Sequence, residues 1–317
     1  MPGPTKIADL IVPEIFTKYL IQETTKTNAF LNSGIATSDP SVNITDGGKT
    51  VNIPFFHELS ANDEVLTEGT ALTINNITAA RDIAAVHVRS VAFAATDLSK
   101  LFSGADPIAA MRVQLGNFWA TKMTDVVLNT LKGIFGVTDL ADANQLDNSA
   151  NSLTGDVMSD AMFLLGDKSA KITALAMHSK VFAKLKKLDL IDTVQPSALS
   201  PAYNTYMTKR IIMDDAIEPI SGTGATAVYP IYLFGAGALA YNENGTLATY
   251  EQDRDILKKE DVFTSTRTFT MHPRGVKWTG TPADGETPSN AELATAANWA
   301  LVENPKNVAI ARVITKI

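Results

Sequence analysis

One uninterrupted helical pattern, Asp106 to Lys132, constrains this chain more than any other feature. Asp106 is a favourable N-cap, and Pro107 stands at the first helical position, where a missing N–H is harmless. Apolar side chains then recur at Ile108, Met111, Leu115, Trp119, Met123, Val127 and Leu131. One step of three and then steps of four keep them on one face of a 3.6-residue helix. Lys132 places a cation in the last turn and Gly133 is read as the C-cap. At 1.5 Å per residue the rod is about 40 Å long. That is long for a globular helix, and it reads as the spine of a thin, flat molecule.

The segments ahead of this helix do not read as a packed body. Residues 7–21 form a short arm, extended or helical, with Pro13 as the entry to a helix that starts at Glu14. Ser33 to Gly48 is rich in Ser, Asp, Asn and Gly and reads as loop. Thr50 to Phe56 alternates in the manner of a strand, with Val51, Ile53 and Phe55 on one face, and a second extended run occupies Ile83 to Phe93. Between them the chain from His57 to Ala80 is polar, and Leu66, Leu72, Ile74 and Ile77 are too sparse for a core helix. Two strands with such an excursion predict a long two-stranded hairpin projecting from a body. Connections of this length are commonly functional or bind a partner.

Downstream the pattern is α/β. Helices are expected over Asp156–Leu165, Lys180–Leu190 and, briefly, Glu292–Trp299. Strands are expected over Ile172–Met177, Arg210–Met213, Tyr229–Phe234, Arg267–Met271 and Val308–Ile314. A length of 317 residues is compatible with roughly two domains. The N-terminus lacks a signal-peptide pattern and no stretch approaches the ~20 apolar residues of a membrane span, so a soluble protein is expected. A net charge of -7 argues against a sequence-independent nucleic-acid binder. The densest basic run, Lys184, Lys186 and Lys187, reads as a solvated helix face. Charged residues make up 19%, below the usual ~25%, a hint that part of the surface is covered by other copies.

No catalytic, cofactor-binding or metal-ligating constellation emerges. The absence of Cys excludes disulfides, thiolate metal sites and a cysteine nucleophile. His57, His87, His178 and His272 stand at no metal-ligand spacing and read as structural. Asp214-Asp215 and Asp253-Arg254-Asp255 are the best carboxylate clusters, and paired loop carboxylates can hold Mg²⁺ or Ca²⁺. Asp214-Asp215 follows an apolar strand and precedes Pro219, so a strand-end turn accounts for it. Asn242-Glu243-Asn244-Gly245 resembles part of a calcium loop, but Ala240 stands where the first ligand belongs. Gly235-Ala236-Gly237 lacks the third glycine and βαβ setting of a dinucleotide fingerprint and reads as a strand-end turn.

In their order, these segments resemble the major capsid protein family of tailed bacteriophages, with the HK97-type fold. Ile7 to Glu14 with Ser33-Gly34-Ile35 is similar to its N-terminal arm, and Thr50 to Ala94 to its extended E-loop. Asp106-Pro107 through Gly133 resembles the spine helix of the peripheral domain. Ala174 to Lys180 and Arg210 to Asp215 resemble the axial domain near the capsomer centre. The most specific piece is His272-Pro273-Arg274-Gly275-Val276-Lys277-Trp278, followed by Asn298 to Val302 and Lys306 to Ile310. The fold class implied is α+β, and the implied division is an N-terminal arm (1–48), an E-loop hairpin (49–95), a peripheral domain (96–148 with 251–317) and an axial domain (149–250).

The resemblance implies a structural protein, not an enzyme. It implies pentamers and hexamers that self-assemble into an icosahedral shell around double-stranded DNA, with a virion location after assembly in the host bacterial cytoplasm. DNA is then enclosed without sequence-specific binding, and no cofactor, metal or membrane is involved. A separate scaffolding protein and a portal are expected partners, since the arm is reached within ten residues of Met1; a decoration or cement protein is a further partner that the family allows. Some members weld subunits through an E-loop lysine, but no Lys lies between Lys49 and Lys100, so a non-covalent shell is expected. Two other readings stand beside this one: an encapsulin-like nanocompartment shell with the same fold, and a soluble α/β enzyme domain built on the middle region.

Overall fold

The expected spine is a helix of 28 residues, Pro107–Ile134. The structure is a computed structural model and describes residues 30, 33–43, 48–59, 63–66, 68, 71–103, 107–195, 203–244 and 250–317. The N-terminal arm expected over 7–21 and the Asp106 N-cap lie outside the described residues, as does part of the hairpin tip. Leu115, Trp119, Met123, Val127 and Leu131 are buried along one side of the helix, as their spacing requires.

Gly133 differs from its expected role. The helix continues to Ile134, and Gly133 sits inside the last turn. There a Cβ would come within 2.6 Å of Trp299 Nε1 and 2.8 Å of Trp299 Cδ1. The glycine is therefore needed for close approach and not for a left-handed cap. The indole it admits donates from Nε1 to the Leu293 carbonyl at 2.8 Å.

Two large sheets flank the spine. In the six-stranded sheet the order is Ala36–Ser38, Leu239–Asn244, Glu260–Pro273, Ala79–Thr96 and Thr50–Phe56, with Tyr250–Asp255 pairing along the other half of Glu260–Pro273. The 18-residue strand Ala79–Thr96 serves two purposes. Its second half, from Val86, pairs with Glu260–Thr270 as part of the body. Its first half, Ala79–Ala85, pairs with Thr50–Phe56 alone and forms the stem of the hairpin. The seven-stranded sheet runs Gln145–Ser152, Ile310–Lys316, Val228–Gly235, Ile172–Met177, Lys209–Met213, Tyr203–Tyr206 and Asp192–Val194.

Helices Gly155–Met162 and Ser179–Lys187 cover this second sheet, burying Met158, Ala161, Met162, Val181 and Leu185 against Leu175, Ile231 and Val313. A separate core joins the spine to both sheets through Leu131, Ile134, Phe234, Phe269 and Trp299. Arg312 fastens the C-terminal strand to the end of the spine. Its guanidinium donates to Gln145 Oε1 at 2.8 Å and to the Phe135 carbonyl at 3.2 Å, and stacks 4.6 Å over the Phe135 ring. Burial pushes its pKa down from the ordinary arginine value.

The helix expected over Glu292–Trp299 is broken into Asn290–Leu293 and a single 3-10 turn, Ala296–Asn298. Trp299 is drawn instead into the short strand Trp299–Leu301, which pairs with Val276–Trp278 and sets the two indoles edge to face at 5.1 Å. The closing strand is displaced two residues toward the C-terminus from the expected Val308–Ile314, at Ile310–Lys316. It lies in the seven-stranded sheet, whereas Leu239–Asn244 lies in the six-stranded one.

Candidate assembly surfaces

The hairpin carries the densest group of exposed apolar side chains among the described residues. Phe56, Leu59, Val65, Leu66, Leu72, Ile74 and Ile77 are all exposed, Ile74 to 91% and Val65 to 88%. Its strand Thr50–Phe56 alternates exposed and half-buried residues because one face, with Val51 and Ile53, packs on the small core of Val42, Ala84 and Ala240 while the other face is open. The ladder continues past the stem where His57 N–H donates to the Thr78 carbonyl at 3.0 Å. Further out, Glu64 Oε2 accepts from Thr73 N–H at 3.0 Å and ties the two arms together. The hydrogen bond holds the Glu64 carboxyl below its usual range.

From 50 to 80 the chain has Glu58, Asp63, Glu64 and Glu68 and no Lys or Arg. Glu58 lies 3.3 Å from Lys168 of the body. The rest of this charge has no cation within the segment itself. A monomer gains nothing by exposing so much apolar surface, and a projecting element of this kind marks a contact with another molecule.

Further apolar side chains are exposed along the seven-stranded sheet: Met207 at the turn between two of its outer strands, and Val194, Met213 and Ile220 toward the opposite end of those strands. The turn between Tyr203–Tyr206 and Lys209–Met213 places both Met207 and Thr208 at positive φ, 45° and 67°. Two such residues in succession give a tight two-residue hairpin turn, normally the preserve of Asn and Gly. Met207 is presented on that turn.

The residues weighed as chemical sites are dispersed. His57 packs edge to face with Phe55 at 5.4 Å. His178 caps the helix Ser179–Lys187, its Nδ1 accepting from Lys180 N–H at 2.9 Å. His87 and His272 are fully buried in the six-stranded sheet, and burial pushes their imidazoles down to about 3 and about 4. Neither ring nitrogen of His272 has a hydrogen-bond partner of normal geometry among the described residues. Asp214 closes the strand-end turn by accepting from Ala216 N–H at 3.0 Å, and Asp215 accepts from Ser179 N–H at 3.1 Å.

Asp253-Arg254-Asp255 stands on the strand Tyr250–Asp255, where Arg254 bridges Asp97 at 2.5 Å and Asp261 at 2.9 Å. Gly235-Ala236-Gly237 is the turn that ends Val228–Gly235, with Gly237 at φ 64°. Asn242 and Glu243 lie within the strand Leu239–Asn244. Lys184, Lys186 and Lys187 occupy the last turn of their helix, where cations oppose the exposed carbonyl ends. A surface hollow of about 590 Å³ beside Trp278 holds Arg81 and Lys277 but no acid–base pair. Among the described residues no group of three or more His, Asp or Glu is placed to hold a metal ion, and no helix is long and apolar enough to cross a membrane.

Sequence reasoning singled out the hairpin through its sparse leucines and isoleucines. It passed over Ile256 and Leu257, which interrupt a run of charged residues from Asp253 to Asp261 and are exposed to 70% and 96%. An apolar pair inside such a run was the available signal.

Comparison with known proteins gives these surfaces a context. Residues 54–310 match the profile of the Gp13-like family, described as major capsid protein 13-like. Over 313 residues the chain is 38% identical to the major capsid protein of Bacillus phage SPP1, covering 96% of each. Among solved structures, the fold is similar to the capsid asymmetric unit of cyanophage Pam1, with a TM-score of 0.62 at 12% identity over 97% of this chain and 98% of that one. It is also similar to a Mycobacterium phage Che8 chain, with a TM-score of 0.56 at 12% identity over 96% and 97% of the two chains. At that identity the likeness concerns the fold alone: an α+β fold of the HK97 type.

Proposed function

Because the chain belongs to the Gp13-like family of major capsid proteins, we propose that its copies form the pentamers and hexamers of an icosahedral shell enclosing double-stranded DNA. The chain is a major capsid protein of a tailed phage, a self-assembling structural component of the virion and not an enzyme. Family membership also sets aside the nanocompartment and enzyme readings. What supports the finer reading is the hairpin: seven large apolar side chains, from Phe56 to Ile77, are exposed on it. Repetition of such a contact around a ring closes an assembly, because a heterologous interface either closes by rotation or runs on as a filament.

In the proposed subunit, residues 1–48 are the N-terminal arm and 49–95 the E-loop hairpin. Residues 96–148 with 251–317 form the peripheral domain and 149–250 the axial domain, with two strands exchanged between the sheets of these bodies. Ile310–Lys316 completes the seven-stranded sheet, and Leu239–Asn244 completes the six-stranded one. The Met207 turn then faces the capsomer centre. Assembly takes place in the host bacterial cytoplasm with a separate scaffolding protein and a portal, and a decoration or cement protein is a further partner. DNA is enclosed without sequence-specific contacts, in keeping with the net charge of -7.

Electron microscopy of the purified protein tests the reading. Closed polyhedra or rings are expected, and dispersed monomers at high concentration count against it. The absorbance ratio of purified particles then reports whether they hold nucleic acid.

A further inference from the structure

Two arginines stand directly opposite each other in the six-stranded sheet. Arg89 on Ala79–Thr96 is in register with Arg267 on Glu260–Pro273, and like charges so placed repel. Their compensation is unequal. Arg267 meets Glu243 at 2.6 Å and lies 6.0 Å over the Trp119 ring. Arg89 forms no ion pair with a carboxylate among the described residues. Its Nη2 donates to two neutral acceptors, the Pro288 carbonyl at 2.6 Å and Asn290 Oδ1 at 3.1 Å. Its Nε is buried without a hydrogen-bond partner among the described residues.

Glu292 is the acid whose charge reaches Arg89, but both of its oxygens are taken. Oε1 accepts from Ala283 N–H at 2.6 Å and Oε2 from Ser289 N–H at 2.7 Å. Burial pushes the Arg89 guanidinium below its ordinary pKa, the direction expected of a cation short of a counter-charge.

Arg89 lines a recess of about 250 Å³ between its strand and the spine helix. Phe118 and Trp119 form the helix wall, edge to face at 5.4 Å. Lys122, one turn on from Phe118, adds a second cation, and no carboxylate lines the recess. Lys122 lies 3.2 Å from Asp125, but an exposed i,i+3 pair of this kind is weak and leaves the ammonium available. At ~30 Å³ per water the recess has room for about eight waters. That is below the ~300–1,000 Å³ of pockets for organic ligands, so its size suits a small hydrated ion.

The donors are in place before a ligand arrives. Two hydrogen bonds fix the Arg89 guanidinium, and the segment that makes them is itself pinned to the strand. There Thr287 Oγ1 donates to the Val86 carbonyl at 2.9 Å and accepts from Val88 N–H at 3.2 Å. A site held in this way loses little freedom on binding.

We propose that this recess binds a single inorganic oxyanion of the phosphate and sulfate class, held by Arg89 and Lys122 with the Asn290 amide beside them. Arginine suits such a ligand because its planar guanidinium presents several N–H donors to several acceptor oxygens. The ion supplies the counter-charge for Arg89 and joins the strand, the spine helix and the segment from Thr287 to Asn290.

Titration of the purified chain with inorganic phosphate, at fixed pH and ionic strength set with chloride, tests the site by calorimetry and by thermal midpoint. Saturable binding of one phosphate per chain is expected, with sulfate competing and the midpoint rising as phosphate is added. Lys122→Gln and, separately, Arg89→Gln should each weaken binding about tenfold, as loss of one hydrogen bond to a charged group does. Lys122 is exposed, so Lys122→Gln should melt like the wild type in chloride, and it decides alone if Arg89→Gln does not fold. Lys277→Gln, in the separate hollow beside Trp278, should bind as the wild type does. Binding that does not saturate, or that Lys122→Gln leaves unchanged, overturns the proposal. An equal loss in Lys277→Gln overturns it too, since that marks a diffuse response to surface charge. The result does not depend on whether particles form, so it stands or falls apart from the shell reading.

Discussion

The hairpin and the junction at Gly133 use the same kinds of side chain to opposite ends. At the junction, Leu293 and Trp299 are buried so closely against the spine at Gly133 that a single methyl has no room. On the hairpin, Leu66, Leu72 and Ile74 are exposed and touch no core. Burial of apolar area stabilises by roughly 25 cal/mol per Å² whether the covering surface comes from the same chain or another. What differs is which event does the covering. The junction is covered when one chain folds, the hairpin when chains associate, so damage at one should appear as lost folding and at the other as lost assembly.

The largest expected effect breaks the comparison at its first half. Gly133→Val forces a branched side chain into the Leu293 carbonyl and the Trp299 ring, and backbone can yield little there. Overpacking of a tight core costs about 1–3 kcal/mol and occasionally more. Here the loss should fall at the upper end, read as insoluble expression or a lowered thermal midpoint. The matching hairpin variant, Leu66→Ser with Ile74→Ser, should melt within about 0.5 kcal/mol of wild type, as exposed substitutions generally do. Its particle yield should collapse. A hairpin variant that unfolds, or one that assembles normally, would remove the distinction between the two regions.

A smaller effect sharpens it through pH. His87 and His272 are buried where the hairpin strand enters the body, and their folded pKa values fall to about 3 and about 4 from 6.5. Each binds a proton more weakly when folded than unfolded, so the stability they protect is complete above pH 6.5. It is lost as pH falls toward 4 and then 3. Thermal midpoints measured from pH 7 to pH 4 should therefore decline, and His272→Gln should flatten part of that decline. The hairpin contact lacks a histidine outside His57, so assembly of already folded subunits should change less over the upper part of this range than their melting does.

These regions were not equally legible in the sequence. The bounds of Thr50–Phe56 and Ile172–Met177 agree with the alternation and apolar run that announced them. The spine was announced by its period. The helix Thr138–Asn144 was not, because Val137 stands at its N-cap without a side-chain bond and leaves no capping signal. Ser289 and Glu292 do form a capping box, which could have set the start of Asn290–Leu293; its early end depends on Trp299 pairing with Trp278, a contact no local pattern reports. Asp253-Arg254-Asp255 looked like a possible cation loop because its partner Asp97 is distant in sequence. Exposed apolar residues on the hairpin could be suspected from spacing, but that its body leaves them uncovered required the sheet.

The smallest expected effect is none at all, and it bears on how the hairpin is held. A covalent weld in which this element supplies the amine needs a lysine on it, yet the chain has no lysine between Lys49 and Lys100. Lys49 itself is engaged at the root, donating to the Gly285 carbonyl. Boiling assembled particles in SDS should thus release a single band at 34.0 kDa, with no ladder of linked subunits. Lys49→Arg, which keeps the charge and removes the amine nucleophile, should give the same band and the same particle yield. A ladder that survives boiling and vanishes in Lys49→Arg would show that the root lysine leaves its carbonyl to reach a neighbour. The hairpin would then no longer be held by apolar burial alone.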